Sequence, residues 1–124
     1  MTDRKLPVQQ DKQNQNPTPD AGMVQRQLER IFASQEFQAT ERQREFLQFV
    51  VAETIAGRSA EIKGFTVATQ VFGRSEDFHQ ATDPIVSIQA NKVRRALERY
   101  YLVAGQNDPV RIDIPKGTYV PVFH

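Results

Sequence analysis

A β-hairpin that directly follows a long helix constrains the fold of this chain more than any other feature of its sequence. Between residues 110 and 114, three apolar residues alternate with two charged ones, which is the period of a strand with one buried face. Residues 115–117 read Pro-Lys-Gly and predict a turn, and the β-branched and aromatic residues of 118–123 favour a returning strand. The sequence therefore predicts a hairpin over 110–123 with a cationic tip at Lys116.

A long helix is predicted to precede this hairpin, over about 83–103. Asp83 is expected to cap it, with Pro84 at the first helical position, where the N–H that proline lacks would be unpaired in any case. The face opposite the core is basic, and a cationic helix before a cationic hairpin tip is typical of a winged helix-turn-helix. In that layout the helix enters the DNA major groove and the tip contacts the backbone or the minor groove. Spacings of three and four predict a core face of Val86, Ala90, Val93, Leu97 and Tyr100 or Tyr101, widened by Ile85 and Ile88.

Three further helices are predicted upstream. Apolar spacing predicts the first over 23–33, which either packs on the domain or pairs with a second copy. Thr40 and Gln43 match a capping box, and this second helix is apolar enough to form the centre of the core before Gly57 ends it. A third helix is predicted over 62–72, with an inner face of Phe65, Ala68, Val71 and Phe72. The predicted fold class is therefore mainly α with a small C-terminal β-hairpin.

Composition divides the chain into a tail and a folded part. Residues 1–21 are rich in Gln, Asn and Pro and poor in apolar side chains, so we expect a disordered tail. We expect a helix over 22–36, a candidate for dimerisation, and a winged-helix domain over 37–124. The chain has no cysteine, no apolar run long enough for a membrane helix and no signal-peptide pattern. These features predict a cytoplasmic protein without membrane contact.

Basic residues are concentrated in the segment predicted to form the long helix and the hairpin. The whole chain has a net charge of +1, but residues 84–124 contain six Lys or Arg against three Asp or Glu. Residues 1–83 contain ten Lys or Arg against twelve Asp or Glu. A basic excess of this kind fits nucleic-acid binding, and it also fits an ordinary solvated surface.

The sequence contains no arrangement of residues typical of catalysis. Its two histidines, His79 and His124, are far apart, and no metal-ligand spacing is present. The six glycines are scattered, and residues 116–118 lack the spacing of a phosphate-binding loop. We therefore predict no enzyme activity, no cofactor and no metal site.

Two motifs in the C-terminal half carry a family resemblance, VSIQANKVRRAL over 86–97 and IDIPKGTYVPVF over 112–123. In this order they resemble the OmpR/PhoB-type winged-helix family of bacterial transcription regulators. The likeness is closer still to winged-helix domains that precede cyclase or tetratricopeptide modules in bacterial signalling proteins. It covers about residues 40–123. Two family features are absent: the N-terminal strand layer, and the second glycine of the wing, where Thr118 leads directly to Tyr119.

The resemblance implies a DNA-binding site on the long helix and the wing. Gln and Asn side chains pair with adenine, Lys and Arg with guanine, and other cations contact phosphates. The resemblance implies that Arg95 and Arg99 contact phosphates. Arg94 either contacts DNA or forms an ion pair with Glu98 or Glu45 that stabilises the fold. The predicted DNA-binding residues are Ser87, Ile88, Gln89, Asn91, Lys92, Arg94, Arg95, Arg99 and Lys116.

The expected function is that of a sequence-specific transcription regulator that binds double-stranded DNA as a homodimer. A polar loop over 74–82 is expected to be free to contact RNA polymerase or another regulator. The alternative is a protein-interaction adaptor of the same fold without DNA binding. The near-neutral net charge and the missing wing glycine keep that alternative open.

Overall fold

The computed structural model describes residues 18–124, which form four α-helices and one two-stranded antiparallel hairpin. This confirms the mainly helical fold with a small C-terminal hairpin. The elements are α1 (Ala21–Ala33), α2 (Glu41–Ile55), a 3₁₀ turn (Ser59–Glu61), α3 (Gly64–Gln70), α4 (Ile85–Val103), β1 (Ile112–Asp113) and β2 (Val122–Phe123). Most of the tail predicted over 1–21, namely residues 1–17, lies outside the described residues. Helix α1 already begins at Ala21. None of the helices in 18–124 combines the length and apolar character needed to cross a membrane.

Helix α1 packs on the domain through its apolar face. The Asp20 carboxylate accepts a hydrogen bond from the Met23 backbone N–H at 2.9 Å and caps the helix, which begins at Ala21, two residues before its predicted start. Val24, Leu28 and Ile31 are buried in the same core as the other helices. The apolar face of α1 therefore packs on the domain, which is one of the two alternatives predicted for it. Dimerisation through α1 stays a prediction, and it would have to use the exposed face.

Helix α2 lies at the centre of the core and has the ends that its sequence predicts. The capping box is complete, because Thr40 Oγ1 accepts from Gln43 N and Gln43 Oε1 accepts from Thr40 N. At the other end Gly57 has a φ of 83°, and the next residue, Arg58, donates its N–H to the carbonyl of Glu53 at 2.8 Å. With the bond from the Gly57 N–H to the Thr54 carbonyl at 3.1 Å, this bond forms a Schellman motif, in which glycine supplies the left-handed backbone. The fully buried side chains of α2 are Phe46, Leu47, Val50 and Val51.

Helix α3 is shorter than predicted, and one residue of its expected inner face is wrong. The helix spans Gly64–Gln70 rather than 62–72, and Val67 and Ala68 are fully buried. Phe65 is 49% exposed, although the sequence predicted it in the core. The buried residues of this short helix are Gly64, Val67 and Ala68, and Phe65 lies at the edge of the arc that they form.

Helix α4 spans the predicted region and buries the predicted stripe. Pro84 is the cap residue rather than the first helical residue, and the Asp83 carboxylate accepts from the Ile85 N–H at 3.2 Å. Ile85 is half-buried, but Ile88 is 46% exposed and does not widen the core face. The buried residues of α4 are Val86, Ala90, Val93, Ala96, Leu97, Tyr100 and Tyr101.

The hairpin has shorter strands and a longer loop than the sequence predicts. Ile112 pairs with Phe123 and Asp113 with Val122, and Arg111 and His124 exchange backbone bonds at 3.0 Å. Residues 114–121 form a loop, which we call the hairpin loop, whereas 118–121 was expected to be strand. Pro115 and Pro121 lack the N–H that a strand ladder needs. The paired residues therefore lie outside the segment between these prolines, at 112–113 and 122–123.

Two tyrosines of α4 hold the hairpin base against α1 and α4. The Tyr101 hydroxyl donates to the Val110 carbonyl at 3.1 Å and accepts from the Ile112 N–H at 2.8 Å. Tyr100 donates to the Asp108 carboxylate, which also accepts from the buried Gln27 amide at 2.8 Å. The start of β1 is therefore fixed to α4 by hydrogen bonds as well as by packing.

Candidate functional site

One face of α4 is open to solvent along its whole length. The exposed residues recur at spacings of three and four, so they lie in one stripe opposite the buried residues. This exposed stripe consists of Ile88, Asn91, Lys92, Arg95, Glu98, Arg99 and Leu102. Five of the predicted DNA-binding residues are in it. Ser87 lies at its margin, half-buried, with its hydroxyl donating to the Pro84 carbonyl at 3.1 Å.

Arg94 fixes the hairpin loop against α4. Its Nε donates to the Ile114 carbonyl at 2.9 Å, and its Nη2 donates to the carbonyls of Thr118 at 2.7 Å and Pro115 at 3.3 Å. Its Nη1 donates to Asn91 Oδ1 at 2.6 Å. A guanidinium presents its N–H donors in a rigid planar fork, so three carbonyls from one loop converge on it. The alternative ion pair of Arg94 with Glu98 or Glu45 is wrong, because these carbonyls take its donors.

These hydrogen bonds from Arg94 to the hairpin loop, which we call the Arg94 clamp, place the tip of the loop beside the exposed stripe. Lys116 and Gly117 lie across an open cleft from α4, and Gly117 has a φ of 87°, which lets the chain turn at the tip. The α4 side of the cleft is formed by Asn91, Arg94, Arg95 and Glu98. The structure therefore brings together predicted site residues that are about twenty positions apart in the sequence.

The basic side chains of this region fall into two groups. Arg99 donates to the Glu36 carboxylate at 2.9 Å and Arg94 is committed to the hairpin loop. Within residues 18–124, no hydrogen bond or ion pair engages the side chains of Lys92, Arg95 and Lys116. These three cations, exposed on α4 and on the hairpin loop, carry the available positive charge of the site.

Gln89 lies between the exposed stripe and α2. It is half-buried, and its Oε1 accepts from Gln43 Nε2 at 2.7 Å. Gln43 is the buried residue of the α2 capping box. The predicted site residue is thus joined to the core by a side-chain hydrogen bond that spans 46 positions in the sequence.

A second cleft adjoins the site and includes residues that the sequence analysis missed. Lys63 and Gly64, at the start of α3, face Gln80, Ser87 and the hairpin loop across it. Gln80 Nε2 donates to the Tyr119 hydroxyl at 3.4 Å. An exposed lysine before a helix is a weak sequence signal for Lys63, and nothing in the sequence distinguishes Gln80.

The loop before α4 is tied to the helix by an ion pair. Arg74 donates to Asp83 Oδ2 at 2.6 Å, and this hydrogen bond holds the pKa of the Asp83 carboxyl below its usual value. Because the Asp83 carboxylate also accepts from the Ile85 N–H, the first of α4, the pair joins the start of the loop over 74–82 to the start of the helix. Contact of this loop with RNA polymerase or another regulator stays a prediction.

Comparisons with protein-family models, with curated proteins and with solved structures find no match to this chain. Within residues 18–124, no group of three His, Asp or Glu side chains is arranged to hold a metal ion. A function is therefore inferred from the geometry and chemistry of the residues themselves.

Proposed function

We propose that this chain is a sequence-specific DNA-binding protein of the winged-helix type. In this proposal α4 enters the major groove and the hairpin loop, as the wing, contacts the backbone or the minor groove beside it. One observation carries the proposal. Arg94 holds the hairpin loop against α4, so that Lys116 lies across an open cleft from Arg95, and the exposed Lys92 lies one helical turn before Arg95 on α4.

The chemistry of the exposed stripe suits a duplex. A major groove is wide enough for one α-helix, and α4 offers 19 residues with one continuous solvent face. Lys92 and Arg95 can neutralise phosphates or donate to guanine, and the exposed Ile88 can contact a thymine methyl group. Arg99 has a weaker claim, because a phosphate would have to displace Glu36 from its guanidinium.

The remaining parts of the proposal concern regulation and assembly. A protein that binds DNA in a sequence-specific way and carries an accessible loop over 74–82 would act as a transcription regulator in the cytoplasm of a bacterial cell. One module of this size reads a short site, so we propose that it binds as a homodimer. Paired half-sites in the bound DNA would report that arrangement by their spacing.

Selection of bound duplexes from a random DNA pool by the purified full chain tests the proposal. The expected result is an enriched motif that is lost when Lys92 and Arg95 are both replaced by alanine. Replacement of Arg26 and Arg58, exposed cations on α1 and after α2, is the control for loss of positive charge and should leave the motif unchanged. Arg26 matches the unengaged cations of the site, whereas Arg58 is ion-paired with Glu53 at 2.8 Å. No enriched motif, with no salt-sensitive retention of any DNA, would reject the proposal in favour of a protein-interaction adaptor.

A further inference from the structure

We propose that the capping box of α2 sets the hydrogen-bonding polarity of Gln89, so that Gln89 presents its N–H donor rather than its carbonyl acceptor to DNA. This inference rests on the proposed DNA-binding function and concerns how one base of the site is read. It makes Gln43 a positioning residue for specificity, although Gln43 is buried and belongs to a different helix from the exposed stripe.

A backbone N–H fixes the orientation of the first amide. The Thr40 N–H can only donate, and its partner at 2.9 Å is Gln43 Oε1. The other end of the Gln43 amide is therefore its NH₂ group, and Nε2 donates to Gln89 Oε1 at 2.7 Å. Gln43 is 6% exposed, so its amide is largely shielded from water. The orientation of both amides thus follows from one backbone donor at the start of α2.

The consequence is a restriction on what Gln89 can read. A bidentate pair with adenine needs the carbonyl oxygen and the NH₂ group of one glutamine on the same base edge. The bond from Gln43 Nε2 holds the oxygen of Gln89 against α2, so the NH₂ group is the end of the amide that faces the groove. That group donates to an acceptor: guanine presents O6 and N7 and thymine presents O4, whereas adenine presents N7 beside its N6 donor and cytosine presents only its N4 donor. Gln89 therefore favours guanine or thymine, whose O6 or O4 accepts at the position where adenine and cytosine present an amino donor, and not the adenine that its residue type predicts.

The variant Gln43→Glu reverses this polarity without removing the cap. Glutamate is the usual third residue of a capping box and still accepts from Thr40 N, and an α-helix N-terminus favours its charge. A carboxylate has no donor, so Gln89 must turn and donate its NH₂ group to Glu at position 43. Its oxygen then faces the groove, where adenine N6 and cytosine N4 are donors.

The test is selection from a random duplex pool with the wild type, Gln43→Glu, Gln89→Leu and the control Gln48→Glu. Gln48 is exposed on α2, so the control adds the same negative charge to that helix without touching the hydrogen bonds between Thr40, Gln43 and Gln89. At one base pair, Gln43→Glu should change the ratio of guanine or thymine to adenine or cytosine roughly tenfold towards the latter. Gln89→Leu should lose the preference at that same pair, and Gln48→Glu should keep the wild-type motif.

The possible results separate this inference from the proposed function. A wild-type motif that Gln43→Glu leaves unchanged, or weakens equally at all positions, overturns the inference and leaves DNA binding standing. Thermal unfolding shows whether Gln43→Glu is folded; if it is not, a motif unchanged in Gln89→Leu overturns the inference. The absence of any wild-type motif rejects the proposed function, and the inference with it.

Discussion

The Arg94 guanidinium, on α4, donates a hydrogen bond to the backbone carbonyl of Thr118, in the hairpin loop, at 2.7 Å. Two further carbonyls of the same loop accept from this guanidinium. The loop has little hydrogen bonding of its own, since the paired strands end at Asp113 and Val122. Arg94 therefore determines where Lys116 stands relative to α4. Direct contact of Arg94 with DNA stays a prediction, and most of its donors are already used.

Loss of the Arg94 clamp should weaken both the fold and DNA binding. Charge-assisted hydrogen bonds contribute about 1.5–3 kcal/mol each where they are well formed, so Arg94→Ala should lower the free energy of unfolding by about 2 kcal/mol. Arg94→Lys keeps the charge but cannot reach three carbonyls with one planar fork. DNA affinity should therefore fall in both variants. Urea unfolding and fluorescence anisotropy measure the two effects. Wild-type affinity in Arg94→Lys would show that the charge matters and the clamp does not.

Truncation of Leu28 tests whether α1 is part of the core. Leu28 is 3% exposed and packs with the buried residues of the other helices. Leu28→Ala should lower the free energy of unfolding by about 2–5 kcal/mol, because it leaves a cavity. Gln25→Ala, on the exposed face of α1, is the control and should change it by less than about 0.5 kcal/mol. Unchanged stability with lost self-association in Leu28→Ala would instead make the apolar face of α1 a dimer interface.

Removal of the Tyr101 hydroxyl should destabilise the base of the hairpin. In Tyr101→Phe the buried Ile112 N–H and the Val110 carbonyl lose their shared partner. An unsatisfied buried polar group costs about 1–3 kcal/mol, so the free energy of unfolding should fall by that amount. Loss of protection of the Ile112 amide in hydrogen exchange would locate the effect. Full protection of that amide in the variant would contradict this account.

Tyr101 should also make stability fall at alkaline pH. Burial disfavours the phenolate and raises the pKa of Tyr101 to about 12, whereas an unfolded phenol has a pKa of about 10. Its contribution is complete below pH 10 and is lost as pH rises towards 12, at up to about 1.4 kcal/mol per pH unit. Tyr100 changes in the same direction, since burial and Asp108 raise its pKa. The decline from pH 10 to 12 should be steeper in wild type than in Tyr101→Phe, and equal slopes would contradict the assignment.

Local signals in the sequence predicted most of the fold. The capping box at Thr40 and Gln43, the glycine that ends α2 and the stripe of α4 each depend on residues within a few positions of one another. The length of the hairpin loop was not predictable, because Arg94 binds backbone carbonyls, which every residue has and no sequence pattern marks. Phe65 was misassigned because it lies at the edge of the buried arc of α3, where helical spacing alone does not decide whether a side chain is buried.

The sequence indicated which basic residues of the candidate site are exposed, but not which of its residues already have hydrogen-bond or ion-pair partners. Lys92, Arg95 and Lys116 were identified as basic residues of a helix and a turn, and they lie exposed on neighbouring surfaces. The hydrogen bond of Gln89 with Gln43 and the ion pair of Arg99 with Glu36 join residues 46 and 63 positions apart. Such contacts depend on the packed fold, so the sequence alone could not reveal which site residues already have partners.

The most direct test of the DNA-binding account is the salt dependence of affinity for duplex DNA. Each phosphate contact by a cation adds about one to the slope of log K against log salt concentration. Replacing Lys92 and Lys116 by alanine removes one cation from α4 and one from the hairpin loop, so the slope should fall by about two. The control with Arg26 and Arg58 replaced should keep the wild-type slope. A wild-type slope near zero, or one that the Lys92 and Lys116 replacements leave unchanged, would contradict the account.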